Sequence, residues 1–128
     1  MATYTLKWVT EGIAPSYVTS KTFTAEGYIE LDLAIATATT DGVVALAIDV
    51  SQIVALEIVS DQAVTLETNA DDATGGDTLV LVANLPYRWC TGFYDTCKLT
   101  ENVAVLYVTN TSGATANIKI RCLYDPTV

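Results

Sequence analysis

The stretch Tyr28-Ile29-Glu30-Leu31-Asp32-Leu33-Ala34-Ile35 decides the fold class. Ile29, Leu31, Leu33 and Ile35 recur at every second position, with Glu30 and Asp32 between them. Successive side chains on a strand point to opposite faces, so this order gives one apolar face and one wet face. The same period runs outward in both directions. Upstream, Tyr4, Leu6 and Trp8 face one way and Thr5 and Lys7 the other. A loop with glycine and proline at 10–16 leads to a strand at 17–24 and a turn at Ala25-Glu26-Gly27.

Downstream, small residues at 36–40 end in Asp41-Gly42, a turn signal. Strands are expected at 43–48 and 53–59, then at 63–68 after a turn at Ser60-Asp61-Gln62. Residues 69–77 form the longest polar loop, and 78–83 return as a strand. Residues 103–109 and 116–124 read as a hairpin turning through 110–115, where Gly113 can supply a positive φ. Short strands with turns at this spacing, and no expected helix, give an all-β chain. The expected fold is an antiparallel β-sandwich, jelly-roll-like, or a barrel, in a single domain over residues 1–128.

A chain of 128 residues can bury roughly two-thirds of its unfolded surface, enough for one core without metal or disulfide. The net charge of −9 is unevenly spread. Between Lys21 and Arg88 no cation occurs, while Glu26, Glu30, Asp32, Asp41, Asp49, Glu57, Asp61, Glu67, Asp71, Asp72 and Asp77 do. Such a surface repels phosphate backbones and anionic bilayers, so neither nucleic acid nor membrane is an expected partner. Its two readings are a solubilising coat and an acidic face that meets a basic one. Met1 to Lys7 lacks a basic segment followed by an apolar core, and the expectation is a protein made in a cytoplasm.

The chain contains no histidine, which removes Ser-His-Asp and Cys-His nucleophile systems and the commonest metal ligand. Glu30 and Asp32 share a strand face instead of facing each other across a cleft, as glycosidic carboxylates do. Three cysteines, Cys90, Cys97 and Cys122, argue against a disulfide framework; Cys90 and Cys97 flank a short loop and could pair under oxidising conditions, but packing is the expected role of each. The Asp- and Gly-rich loop at 69–77 offers oxygens to Ca²⁺, yet the same residues are what an exposed turn uses. The expectation is no enzyme, no metal and no cofactor.

From Asn84 to Thr100 the alternation lapses, and aromatics gather: Tyr87, Trp89, Phe93 and Tyr94, with Arg88 among them. Trp, Tyr and Arg are the residue types of interface hot spots. Buried aromatics closing the open end of a sandwich are the other reading. As an interface, the anchors are Tyr87, Arg88, Trp89, Phe93 and Tyr94. Tyr4 and Trp8, on the first strand, would add to a neighbour's sheet edge.

The region from Leu79 to Thr127 resembles small virion proteins of tailed bacteriophages. The resemblance lies in Pro86-Tyr87-Arg88-Trp89, in Val105-Leu106-Tyr107-Val108-Thr109-Asn110-Thr111-Ser112-Gly113-Ala114, and in Ile118-Lys119-Ile120-Arg121-Cys122-Leu123-Tyr124-Asp125-Pro126-Thr127. It implies a structural role in the virion, assembled in the host cytoplasm, foremost as a capsid decoration (cement) protein. Its partners would be the major capsid protein or other virion proteins, and the chain would form a trimer or dimer. A tail or head-fibre component and a carbohydrate-binding β-sandwich module are the alternatives. In the last, Trp89, Tyr87 and Tyr94 would form a stacking platform. The resemblance carries over no site residues.

Overall fold

A computed structural model describes residues 2–12, 17–72 and 75–126. The strand at Tyr28–Ile35 exists as expected and starts one residue earlier, as β3 (Gly27–Ile35). Its Ile29, Leu31, Leu33 and Ile35 turn toward the core while Tyr28, Glu30 and Asp32 face solvent. Ahead of it lie β1 (Ala2–Thr10) and β2 (Tyr17–Ala25). After it come β4 (Thr39–Val44), β5 (Ile53–Ser60), β6 (Val64–Thr68) and β7 (Thr78–Leu81). The chain closes with β8 (Tyr87–Cys90), β9 (Leu106–Asn110) and β10 (Ala116–Tyr124). A 3-10 turn, Val50–Gln52, leads directly into β5. Among the described residues no helix is long and apolar enough to cross a membrane.

The strands form two four-stranded sheets, β3-β10-β5-β8 and β4-β9-β6-β7, and a two-stranded sheet, β1-β2. Every pairing is antiparallel. Between β3 and β10, only β6 and β7 are both consecutive and paired; each other connection passes from one sheet to the other. That order is the double wrap of an eight-stranded jelly roll. The sheets stay open, so the fold is the sandwich and not the barrel. Leu56, Ile58, Leu66, Val108, Ile118 and Ile120 fill the space between them, all almost fully buried. Each such side chain contributes about 1.5–3 kcal/mol by leaving water.

Several boundaries differ from the sequence reading. Residues 103–109 and 116–124 do not form a hairpin, because β9 and β10 belong to different sheets. The cause is Asn110, fully buried at the end of β9. Its Nδ2 donates to the carbonyls of Ile35, Ala36 and Ala114 at 3.0, 3.3 and 2.9 Å. Its Oδ1 accepts from the amide and hydroxyl of Ser112 at 3.1 and 2.7 Å. One side chain therefore ties the β3–β4 crossing to the β9–β10 crossing. Asp61 makes a similar tie for the β5–β6 crossing, accepting from the Asn117 amide and side chain at 2.7 and 2.8 Å. Those bonds, the side-chain one foremost, hold the Asp61 carboxyl below its ordinary range.

Asp41-Gly42 is not the turn. The chain reverses at Thr37-Ala38, with Ala38 at φ 61°, and Asp41 (φ 51°) and Gly42 make a bulge within β4. The strand read at 43–48 ends at Val44, and Ile48 makes only an isolated bridge to Val103. The segment at 84–100 contains β8, paired to β5 from Ala55↔Cys90 to Ile58↔Tyr87. Its four residues are too few to show a period against the turns on either side.

The Asn110 contacts set an expectation for two variants. Asn110→Ala removes five hydrogen-bonding contacts at a fully buried site and should lower unfolding stability by about 2–4 kcal/mol. Asn110→Asp keeps the shape but turns an acceptor toward three carbonyls, so it should be the more damaging at neutral pH and should recover on acidification. Urea unfolding at neutral and acidic pH checks both. Equal midpoints for the two variants at every pH would show that the amide does not hold the crossings.

Candidate functional site

The β1–β2 hairpin lies on the outer face of the β3-β10-β5-β8 sheet. Its register sets Tyr4 opposite Phe23, Leu6 opposite Lys21 and Trp8 opposite Thr19. Phe23 and Ala25 are buried with Val54, Ala55, Cys90 and Leu123, and Tyr4, Leu6 and Trp8 pack against them. This is a cluster separate from the inter-sheet core. Among the described residues, two polar contacts fasten the hairpin: Arg88 Nη1 donates to the Lys7 carbonyl at 3.3 Å, and Lys21 Nζ to the Thr91 carbonyl at 3.4 Å. Tyr4 meets Tyr28 edge to face with ring centroids 5.9 Å apart.

After Cys90 the chain turns sharply, with the Phe93 amide donating to the Cys90 carbonyl at 3.0 Å. Gly92 sits at φ 83°, in the left-handed region that favours glycine. The Thr91 amide and hydroxyl both donate to the Val54 carbonyl, which anchors the turn on β5. Between this turn and the Trp8, Thr19 and Lys21 stretch of the hairpin strands lies a cleft of about 540 Å³, lined also by Cys90, Gly92, Phe93 and Tyr94. Tyr94 is fully exposed, and Phe93 is 37 % exposed. Their rings lie 6.0 Å apart and are tilted by 55°. The cleft offers aromatic faces, the Lys21 ammonium and the hydroxyls of Thr19 and Tyr94, which is an inventory for binding.

The aromatic segment thus divides. Phe93, Tyr94 and Trp8 share the cleft, with Tyr4 further along the hairpin. Tyr87 and Trp89 point to the other side of β8 and pack against the inter-sheet core. Trp89 Nε1 donates to the Asp95 carbonyl at 2.9 Å, and the Tyr87 hydroxyl accepts from the Lys98 amide at 2.8 Å. They cover the inter-sheet core along the β8 edge, so Trp89, Tyr87 and Tyr94 do not assemble into one stacking platform. Arg88, on the outer face, binds Glu57 Oε2 at 2.6 Å. Thr19 and Lys21 went unnoticed as cleft residues in the sequence. The signal that finds them is the hairpin register, which fixes their partners as Trp8 and Leu6.

All three cysteines are free thiols. Cys90 belongs to the cluster beneath the hairpin and Cys97 to the inter-sheet side, so the sheet itself separates the pair suggested by sequence. Burial pushes the Cys122 thiol up to about 12. In the loop at 69–77, residues 73 and 74 lie outside the described residues. Asp77 is committed to the Thr100 amide and hydroxyl at 2.8 and 2.7 Å, and Asn69 Oδ1 accepts from the Ala104 amide at 2.8 Å. These side chains brace the segment at 100–104 instead of converging on one point. On the outer face of the second sheet, Glu67 is raised above its ordinary range, by desolvation first and then by Asp41, Asp72 and Asp71. The four strands of that sheet carry no Lys or Arg.

Set against models of protein families, curated proteins and solved structures, the chain matches none of them.

Tyr87 yields a test of its inward placement. Burial, ahead of every other cause, pushes its hydroxyl up from 10.0 to about 12. The folded group keeps its proton after the unfolded one has lost it, so stability is complete below about 10 and falls as pH rises through about 12. An alkaline absorbance titration should show a late phase that is absent in Tyr87→Phe. A single phase near the ordinary tyrosine range in both proteins would contradict the placement.

Proposed function

We propose that this chain is a structural protein of a tailed-phage virion, a decoration protein that binds and stabilises the head shell as a small homo-oligomer. The observation that carries the binding part is the cleft between the hairpin and the turn at 91–94. Tyr94 is fully exposed at its mouth, with Phe93 and Trp8 beside it. Solvated aromatics gain most when a partner desolvates them, and such residues dominate interface energetics. A hairpin held by two polar contacts and one apolar face can be covered by a shell without disturbing the core. The phage part of the reading is supported by the resemblance over Leu79 to Thr127. The jelly roll is an architecture used by viral capsid and lectin domains alike, so it agrees with this role without choosing it.

A carbohydrate-binding module is the second reading, favoured by the exposure of Tyr94 in the isolated chain. The tilt between Phe93 and Tyr94 leaves no flat platform for a run of sugar rings. Protein docking is therefore preferred.

Co-sedimentation with phage particles that lack this chain tests the choice. The protein is expected to pellet with heads to a fixed saturation. Tyr94→Ala and Phe93→Ala should weaken that binding at least about tenfold, as truncated hot-spot residues do. Tyr94→Ala should shift the unfolding midpoint little, because a fully exposed side chain loses only its contact with the Phe93 ring. A monomer that never joins particles, yet is retarded by a polysaccharide gel, would overturn the proposal in favour of the second reading.

A further inference from the structure

The outer face of the β3-β10-β5-β8 sheet carries a row of charge directly across its strands. Arg88 on β8 is opposite Glu57 on β5, Glu57 is opposite Arg121 on β10, and Arg121 is opposite Glu30 on β3. The outer two pairs are ion pairs, Arg88–Glu57 at 2.6 Å and Arg121–Glu30 at 3.3 Å. Two residues along, Lys119 on β10 stands opposite Asp32 on β3. Both rows therefore reach β3 as acids, and β3 is the last strand of the sheet.

The free edge of β3 is unusual for a solvent-facing edge. It spans nine residues in unbroken register with β10. Protein edges are ordinarily blunted by shortness, proline, lysine or a bulge. The first strand of the other sheet, β4, has such a bulge at Asp41-Gly42, whereas β3 is long, has no bulge, proline or lysine, and carries only the acids Glu30 and Asp32 as charge. Among the described residues no strand pairs with its outer side. Its inward row, Ile29, Leu31, Leu33 and Ile35, is only half-buried, so the sandwich is left partly open along this seam.

We infer that the free edge of β3 is a strand-addition site for an extended segment of a partner protein in which aliphatic residues alternate with Lys or Arg. The added strand's amides and carbonyls continue the ladder, its aliphatics close the seam over Leu31 and Leu33, and its cations meet Glu30 and Asp32. β10 already shows the required pattern on the paired side, as Ile118-Lys119-Ile120-Arg121. A second copy is disfavoured as the occupant. Antiparallel pairing of β3 with itself brings Glu30 and Asp32 against the same acids, which destabilises a cross-strand pair. This site is distinct from the aromatic cleft and does not depend on the virion reading.

Fluorescence anisotropy of the intact protein with nine-residue peptides tests it. The probes are a peptide alternating valine with lysine, the same peptide with glutamate for lysine, and the lysine peptide with alternate backbone amides N-methylated. The lysine peptide is expected to bind at least tenfold more tightly than either of the others. Glu30→Lys/Asp32→Lys should reverse the preference between the charged peptides with an unchanged circular dichroism spectrum. Tyr94→Ala should bind the lysine peptide like the parent. Equal binding of the two charged peptides, full affinity of the methylated one, or no binding would overturn the inference. So would a concentration-dependent dimer that excludes the lysine peptide, which would make a second copy the occupant.

Discussion

The buried amide of Asn110 is the constraint on which the architecture turns. A jelly roll is made by chains that leave one sheet and enter the other, and each crossing exposes backbone groups that must find partners. Here one side chain serves two crossings at once, binding carbonyls at Ile35, Ala36 and Ala114 while holding Ser112. With β3 and β4 thereby joined to β9 and β10, the central strand β10 can pair on both sides, with β3 and with β5. The apolar core follows from that pairing, because register alone decides which face Ile118 and Ile120 present. A slip of one residue would turn Lys119 and Arg121 inward.

The same register organises the charge. Five of the six cations lie on the hairpin or on the outer face of the β10-containing sheet, and Lys98 lies in a loop. The opposite sheet bears none, and there Glu67 is crowded by Asp41, Asp71 and Asp72. The domain is therefore two-sided, with a cross-strand ladder of alternating charge on one side and an acidic face on the other. The cation-free stretch between Lys21 and Arg88 is a linear trace of this arrangement. It does not map onto one face, since Glu30, Asp32 and Glu57 lie on the ladder side.

Much of this was legible in the sequence. Period-two alternation located β3, β6, β7 and β10 closely because each turns one face mainly to the core, while β5, buried on both faces at its start, read as a continuous apolar run. It could not tell a hairpin from a crossing, since both need only two strands and a turn, and what decides at 110–115 is a buried amide meeting carbonyls far away in the chain. It also missed β8, whose four residues carry aromatics on the inner face and Arg88 and Cys90 on the outer. The candidate site was half legible. Phe93 and Tyr94 stand out by composition and Trp8 by its place on the first strand, where the sequence expects it to meet a neighbour's sheet edge, but their meeting depends on the hairpin folding back over Cys90. Tyr87 and Trp89 were named with them, and only the pairing of β8 with β5 shows that they face the core. Asp41-Gly42 has turn chemistry and used it for a bulge, because Ala38 had already reversed the chain.

The central claim is that a rigid sandwich carries a lightly held hairpin whose cleft makes the contact. Amide hydrogen exchange, measured on the free protein and on protein bound to phage heads, tests it most directly. The account predicts slowest exchange in β10 and fastest strand exchange in β1 and β2 when free. On heads, the amides around Trp8, Thr19 and Lys21 and in the turn at 91–94 should slow markedly while those of β10 stay unchanged. A free hairpin protected as strongly as β10, or a hairpin whose exchange is the same on heads as in solution, would contradict it.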